Sequence, residues 1–225
     1  MLQKKLARLT LVATSLLLTQ SISEEKFTNL FNGKDLTGWY TFIDGFGKNS
    51  DPLKIFRIED GTVHISGEKF GYMCTDREFD NFHLKLEFKF GKQKWAPRLD
   101  VVRDSGVLYF IPKDEEDKIW PSGIECQIQE GDVGDFWMIG GTTIVVDGKR
   151  TEPGDYIRAA KKKDAERSSG EWNTVEVIVK DGHCVHIVNG VMVCEAGDAS
   201  VKKGKLLIQS EGAEIFYRNI QWKKL

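Results

Sequence analysis

The chain has 225 residues, a formal net charge of −2, 29% charged residues and 40% hydrophobic ones. That length suits one large all-β domain with a full two-layer core. A near-neutral chain lacks the one-sided basic excess that nucleic acid or an anionic membrane surface would require, so neither partner is expected; the cluster Lys161, Lys162, Lys163 reads as solvated loop.

Lys4, Lys5 and Arg8 precede a short apolar run from Leu9 to Leu18, followed by the small residues Ser21 and Ser23 and then by Glu24 and Glu25. The pattern predicts a secretory signal peptide over residues 1–23, because the run is too short to span a bilayer. Residues 24–225 are then expected as a single exported domain, periplasmic or secreted, with no later membrane span and, for want of a cysteine near the cleavage point, no lipoprotein anchor. Four cysteines remain: Cys74, Cys126, Cys184 and Cys194. Counting outward from an Asn189-Gly190 hairpin turn sets Cys184 opposite Glu195 and Val185 opposite Cys194, so those two sulfurs are expected on opposite faces and the thiols free and buried.

The mature region opens on the turn-rich LFNGKDLTGW, Leu30 to Trp39. No helix follows its glycines, which argues against a phosphate loop. Next, Asp60-Gly61 stands between two alternating segments, the pattern of a hairpin that pairs Phe56 with Ile65, Arg57 with His64 and Ile58 with Val63. A lone histidine on a strand is usually structural, but an adjacent arginine favours a neutral imidazole able to act as base or ligand. Phe82 to Gly91 alternates apolar with charged residues as an amphipathic strand. Ser105 to Ile111 is nearly continuous and apolar, as an interior strand is. The acid run Asp114 to Asp117 lacks the spacing of a calcium loop and reads as solvated.

From Glu125 to Gln129 polar and apolar residues alternate strictly. A strand here carries Glu125, Gln127 and Gln129 on one face, about 7 Å apart, a row able to hydrogen-bond the hydroxyls of a sugar, or else only a solvated face. After a further Asp147-Gly148 turn, residues 152–170 read as a polar surface excursion. Glu171 to Val193 then predicts three strands joined at Asp181-Gly182 and Asn189-Gly190, and Lys205 to Leu225 two more around Gly212. Many strands, regular turns and no amphipathic helix predict an antiparallel sandwich or barrel, and no recurring period points to a propeller or solenoid.

Several segments together resemble one family. LFNGKDLTGW, SGVLY at Ser105 to Tyr109, IECQI at Ile124 to Ile128, EWNTVEV at Glu171 to Val177, the turn at Asn189, and LIQSEG with YRNIQWKKL at the end occur in the order seen in the 3-keto-disaccharide hydrolase domain family. The resemblance covers nearly all of the mature chain. It implies an all-β, concanavalin-like jelly-roll sandwich of two curved antiparallel sheets with a carbohydrate site on the concave face, and exported bacterial enzymes that cleave 3-keto-glycosides by hydrolysis or elimination. Ser210, Glu211 and Gly212 stand where many members carry Asp-His-Gly, and GDVGDFW follows IECQI in place of the common Asp-Asn.

A ketone at C3 acidifies the C2 proton, so a base there can expel the C1 substituent through an enolate, and water can add back. Such a site needs a base, a stabiliser for the C3 oxyanion and a proton donor. Glu125 or His64 are candidate bases, and Arg57 or a divalent metal a candidate stabiliser; no compact histidine spacing identifies a metal site, so the metal stays open. Gln127, Gln209, Asn189 and Glu211 are candidates to orient the sugar, and Trp39 or Tyr109 to stack on it. A two-carboxylate glycosidase, with Glu130, Asp132, Glu87 or Glu211 as partner to Glu125, is a second enzymatic reading. A non-catalytic lectin-like glycan-binding module is the alternative. The sugar, its linkage and the oligomeric state are not specified by these residues.

Overall fold

The computed structural model describes residues 25–225, and the leader segment read at residues 1–23 lies outside them. All regular structure in the described residues is β. The strands are β1 (Thr28–Asn29), β2 (Trp39–Ile43), β3 (Gly47–Lys48), β4 (Phe56–Glu59), β5 (Thr62–Ile65), β6 (Gly71–Thr75), β7 (Phe82–Lys94), β8 (Gly106–Ile111), β9 (Gly123–Gln127), β10 (Phe136–Ile139), β11 (Val145–Val146), β12 (Lys149–Arg150), β13 (Tyr156–Ala159), β14 (Asn173–Lys180), β15 (His183–Val188), β16 (Val191–Ala196), β17 (Lys205–Ser210) and β18 (Ala213–Lys224). They form two antiparallel sheets and one small hairpin. The first sheet runs β16-β15-β14-β7-β18-β5-β4 with β1 added on β18; the second runs β13-β10-β9-β8-β17-β6-β2-β3; β11 and β12 pair by themselves.

Alternation builds the sandwich. In β7, Leu84, Leu86, Phe88 and Phe90 are buried in the core while His83, Lys85, Glu87 and Lys89 face outward. Burying each such aromatic or leucine contributes roughly 1.5–3 kcal/mol. Val107 and Tyr109 of β8, Ile124 and Cys126 of β9, and Leu206 and Ile208 of β17 meet that core from the second sheet. Two polar ties cross between the sheets. The Tyr109 hydroxyl lies 3.1 Å from His186 Nε2 on β15, and His186 Nδ1 lies 2.9 Å from the Gly134 carbonyl; Ser105 Oγ lies 2.7 Å from the Tyr217 hydroxyl of β18.

The Asp60-Gly61 hairpin has the predicted register, with Arg57 opposite His64. Both turn residues take positive φ, 49° and 74°, the conformation that two-residue hairpin loops require. The Asn189-Gly190 hairpin departs from simple counting. A bulge between His186 and Ile187 sets His186 opposite Cys194 and Cys184 opposite Ala196, so both cysteines enter the core instead of pointing to opposite faces. All four cysteines are free and buried. The expected surface excursion over 152–170 contains β13, which pairs with β10 along its whole length and extends the edge of the second sheet.

The second sheet is covered on its outer face as well. Tyr40, Tyr72, Cys74, Leu108, Ile111, Ile139 and Leu207 form a separate apolar cluster there, against which Trp120 and Trp137 pack. The segment 112–122 is latched over it: Asp117 Oδ1 accepts hydrogen bonds from the Tyr40 and Tyr72 hydroxyls at 3.0 and 2.7 Å. All of β9 is therefore buried, polar residues included.

Candidate carbohydrate site

β9 places Glu125 and Gln127 on the outer face of the second sheet, and β17 with the residue that follows it places Gln209 and Glu211 two strands away. Between them β8 contributes Gly106, paired with Gln127. A Cβ on Gly106 would lie 1.7 Å from Glu125 Oε1 and 2.5 Å from Gln209 Oε1, so both side chains occupy the space that any other residue would fill. Across β10, Trp137 stands opposite Glu125. The segment after β7 supplies Arg98 and Asp104, segment 112–122 supplies Trp120, and β13 supplies Tyr156. Together with Gln129 and Ile139 these residues line a cleft of about 400 Å³, within the range of small-ligand sites.

The charge in this cleft is unbalanced. One Arg98 Nη2 lies 2.5 Å from Asp104 Oδ2 and 2.6 Å from Glu211 Oε1, so a single guanidinium holds two carboxylates. Glu125 is a third, only 5% exposed. Burial, reinforced by the Glu211 and Asp104 charges, pushes its pKa well above the usual glutamate value, against the opposing pull of Gln209 and Arg98. Burial also raises the Asp104 and Glu211 carboxyls, with Arg98 opposing in both. Full ionisation would leave three negative charges facing one positive charge out of water, which favours retention of a proton. Arg98 Nε, Asp104 Oδ1, Trp137 Nε1 and Gln209 Oε1 are the buried side-chain polar atoms without a hydrogen-bond partner among the described residues. All four belong to residues that line this cleft, and buried polar groups normally have partners.

Of the residues selected from sequence, Glu125, Gln127, Gln129, Gln209 and Glu211 converge here. The others do not. Arg57 and His64 meet as expected, Nη2 to Nδ1 at 2.6 Å, but on the outer face of the first sheet, with His64 also 3.0 Å from Glu214; the whole sandwich core separates them from Glu125. A metal set combining His64 with Glu125 is excluded for the same reason, and among the described residues no group of three or more His, Cys, Asp and Glu is arranged to hold a metal ion. Asn189 is consumed by its turn, bonding Thr174 N, Ala165 O and Asn173 Oδ1. Trp39 is a core residue whose indole donates to Leu30 O, and Tyr109 is wholly buried against His186. Of the partner acids considered for Glu125, Glu211 alone lines the cleft; Glu87 bonds Arg218 on the first sheet, Glu130 bonds Arg103, and Asp132 bonds Arg158 and Gln129. Sequence reading missed Arg98, Asp104, Trp120 and Tyr156, which reach the cleft from segments with no local pattern of their own, whereas Trp137 closes the GDVGDFW departure noted after IECQI.

A two-sheet antiparallel sandwich with carboxylates, amides and tryptophans gathered on one sheet face defines a concanavalin-like carbohydrate-active domain. The family model described as 3-keto-alpha-glucoside-1,2-lyase-like domain matches residues 26–223, and the chain belongs to that family. A Bacteroides thetaiotaomicron protein named 3-keto-disaccharide hydrolase is 26% identical over 191 residues, covering 77% of this chain; the match spans 59% of that relative's length. Among solved structures, a candidate glycosyl hydrolase from Parabacteroides distasonis aligns with a TM-score of 0.62 at 24% identity over 88% of this chain and 94% of its own. The β-glucanase of Bacillus licheniformis aligns with a TM-score of 0.52 at 12% identity over 91% and 99%. These two likenesses concern the fold.

Proposed function

We propose that this domain cleaves glycosides whose sugar has been oxidised at C3, by elimination across C1–C2 followed by addition of water. The observation that carries the reading is the buried Glu125 in a carboxylate cluster with an excess of negative charge, beside Arg98, in a cleft of small-ligand size. Glu125 removes the C2 proton as its carboxylate. The C2–H electrons move into the enolate, whose C3 oxygen Arg98 stabilises in the role sequence reading gave to Arg57. Asp104 and Glu211 hold the guanidinium in place. The enolate then expels the C1 oxygen with its electron pair, that oxygen takes a proton from water, a second water adds across the C1–C2 double bond to give the 3-keto sugar, and the proton on Glu125 passes to the hydroxide left behind, restoring the carboxylate. Gln127 and Gln209 orient the ring hydroxyls. The name of the Bacteroides relative and the description of the family support this substrate class. With the leader of residues 1–23, the reaction takes place outside the cytoplasm.

A module that only bound glycan would need the amides and tryptophans but not the buried acid cluster. Release of a chromogenic leaving group from a 3-keto-glucoside, with no release from its unoxidised parent, is the expected result, and it also separates this chemistry from direct two-carboxylate hydrolysis. Glu125→Gln should lower turnover by on the order of 10²-fold or more; unchanged turnover would remove Glu125 from the mechanism.

A further inference from the structure

The cleft is two different surfaces joined at Glu125. On the β8–β17 side it offers Glu125, Gln127, Gln209, Glu211, Asp104 and Arg98, a dense set of hydrogen-bonding groups over the floor left open by Gly106. On the β10–β13 side it offers Trp120, Trp137, Ile139 and Tyr156. Trp120 and Tyr156 meet edge to face at 6.2 Å. Strand order makes the separation directional, because β13 and β10 lie on one side of β9, and β8 and β17 on the other. Arg158, which pairs with Trp137 across β10–β13, is turned to Asp135 and Asp132 and leaves the aromatic half free of charge.

We infer that the sugar ring sits over Gly106 and that the β10–β13 half is a leaving-group platform for a flat, apolar aglycone, making aryl glycosides the preferred substrate class of this site. This rests on the function proposed above. A second sugar on the aromatic half would bring several hydroxyls to a wall whose own polar groups are the Trp120 and Trp137 indole N–H groups and the Tyr156 hydroxyl, with the Gln129 amide at its edge, fewer than its hydroxyls need, and each buried, unmet hydroxyl is unfavourable. An aryl ring instead stacks on indole and phenol faces. Beyond Glu125 at the junction, no carboxylate among the described residues lines the aromatic half to protonate a departing group. A phenolic oxygen, with a pKa near 10 as in tyrosine, can leave with the C1–O electron pair as phenolate and take its proton from water, which a sugar alkoxide does far less readily.

Binding distinguishes this inference from the reaction it rests on. In Glu125→Gln protein, calorimetry with phenyl 3-keto-glucoside and with 3-ketoglucose should show the phenyl glycoside binding more tightly. Adding Tyr156→Ala or Trp137→Ala should weaken the phenyl glycoside about tenfold and leave 3-ketoglucose within about twofold. Trp137→Phe, which keeps a ring and removes the donor, covers the case in which Trp137→Ala does not fold. Equal weakening of both ligands, or phenyl glycoside binding no tighter than 3-ketoglucose or undetectable, overturns the platform. The predicted binding pattern in a protein whose native form releases nothing from 3-keto-glycosides would instead uphold the platform and refute the elimination. Turnover with no aryl preference would do the reverse.

Discussion

At the scale of single residues, the site depends on an atom that is missing. Gly106 gives Glu125 and Gln209 the volume of a Cβ, and its own φ is not in the left-handed region that would otherwise demand glycine. Gly106→Ala is therefore expected to leave a folded chain but to displace the Glu125 carboxylate by the order of an ångström. Displacements of that size cost about 10²-fold in rate, which a chromogenic 3-keto-glucoside assay beside an unchanged far-ultraviolet circular dichroism spectrum would show. Wild-type kcat/KM should fall as pH drops through the raised pKa of Glu125, well above the ordinary glutamate range, because the base must be ionised to accept the C2 proton. A profile that stays flat down to pH 5 would contradict that assignment.

Among elements, the segment 112–122 carries Trp120 to the cleft and is fixed chiefly through Asp117, which the Tyr40 and Tyr72 hydroxyls and Lys48 all approach. Asp117→Ala should raise KM severalfold with little change in kcat, since the latch touches an aromatic wall and not the acid cluster; steady-state kinetics on an aryl 3-keto-glucoside would separate the two constants. The hairpins were legible from sequence because Asp-Gly and Asn-Gly turns set the register of short antiparallel pairs, and the Glu125–Gln127 face followed from period-two alternation. What escaped was nonlocal or irregular. The His186 bulge shifts a register by one residue with no mark in the sequence, and β13 hides in a charged stretch because only four of its residues pair. Arg98 and Asp104 lie in an irregular connection and acquire meaning only where β17 brings Glu211 against them. The same blindness assembled Arg57 and His64 with Glu125: each strand pattern was right, but alternation cannot say which of two sheets a strand joins.

For the molecule as a whole, two buried titratable groups bound the pH range of greatest stability from opposite sides. Glu125 holds its proton more tightly in the folded chain than in the unfolded one, so the stability it confers is full below the ordinary glutamate pKa and is lost as pH rises through the raised folded value. Glu125→Gln should accordingly melt at a higher temperature than wild type on the alkaline side, by an amount that grows with pH. His186, buried between the sheets, has its pKa lowered to about 3 from 6.5 by that burial. Below pH 6.5 the unfolded chain takes up a proton that the folded chain refuses, and stability falls by up to about 1.4 kcal/mol per pH unit until pH reaches the folded value. Thermal melts from pH 7 to pH 4 on wild type and His186→Gln should show a steeper acid loss for wild type; parallel curves would mean that His186 is hydrated.

The four buried cysteines have a practical corollary. Burial pushes the Cys74 and Cys194 thiols up to about 11 and Cys184 up to about 12, and the thiolate is the form that reacts with maleimides and iodoacetamides. The native chain should thus be inert to these reagents while folded, so a cysteine introduced at exposed Val101, three residues from Asp104, would be the sole attachment point for a fluorophore. Such a probe would report occupancy of the cleft in real time without any native cysteine having to be removed.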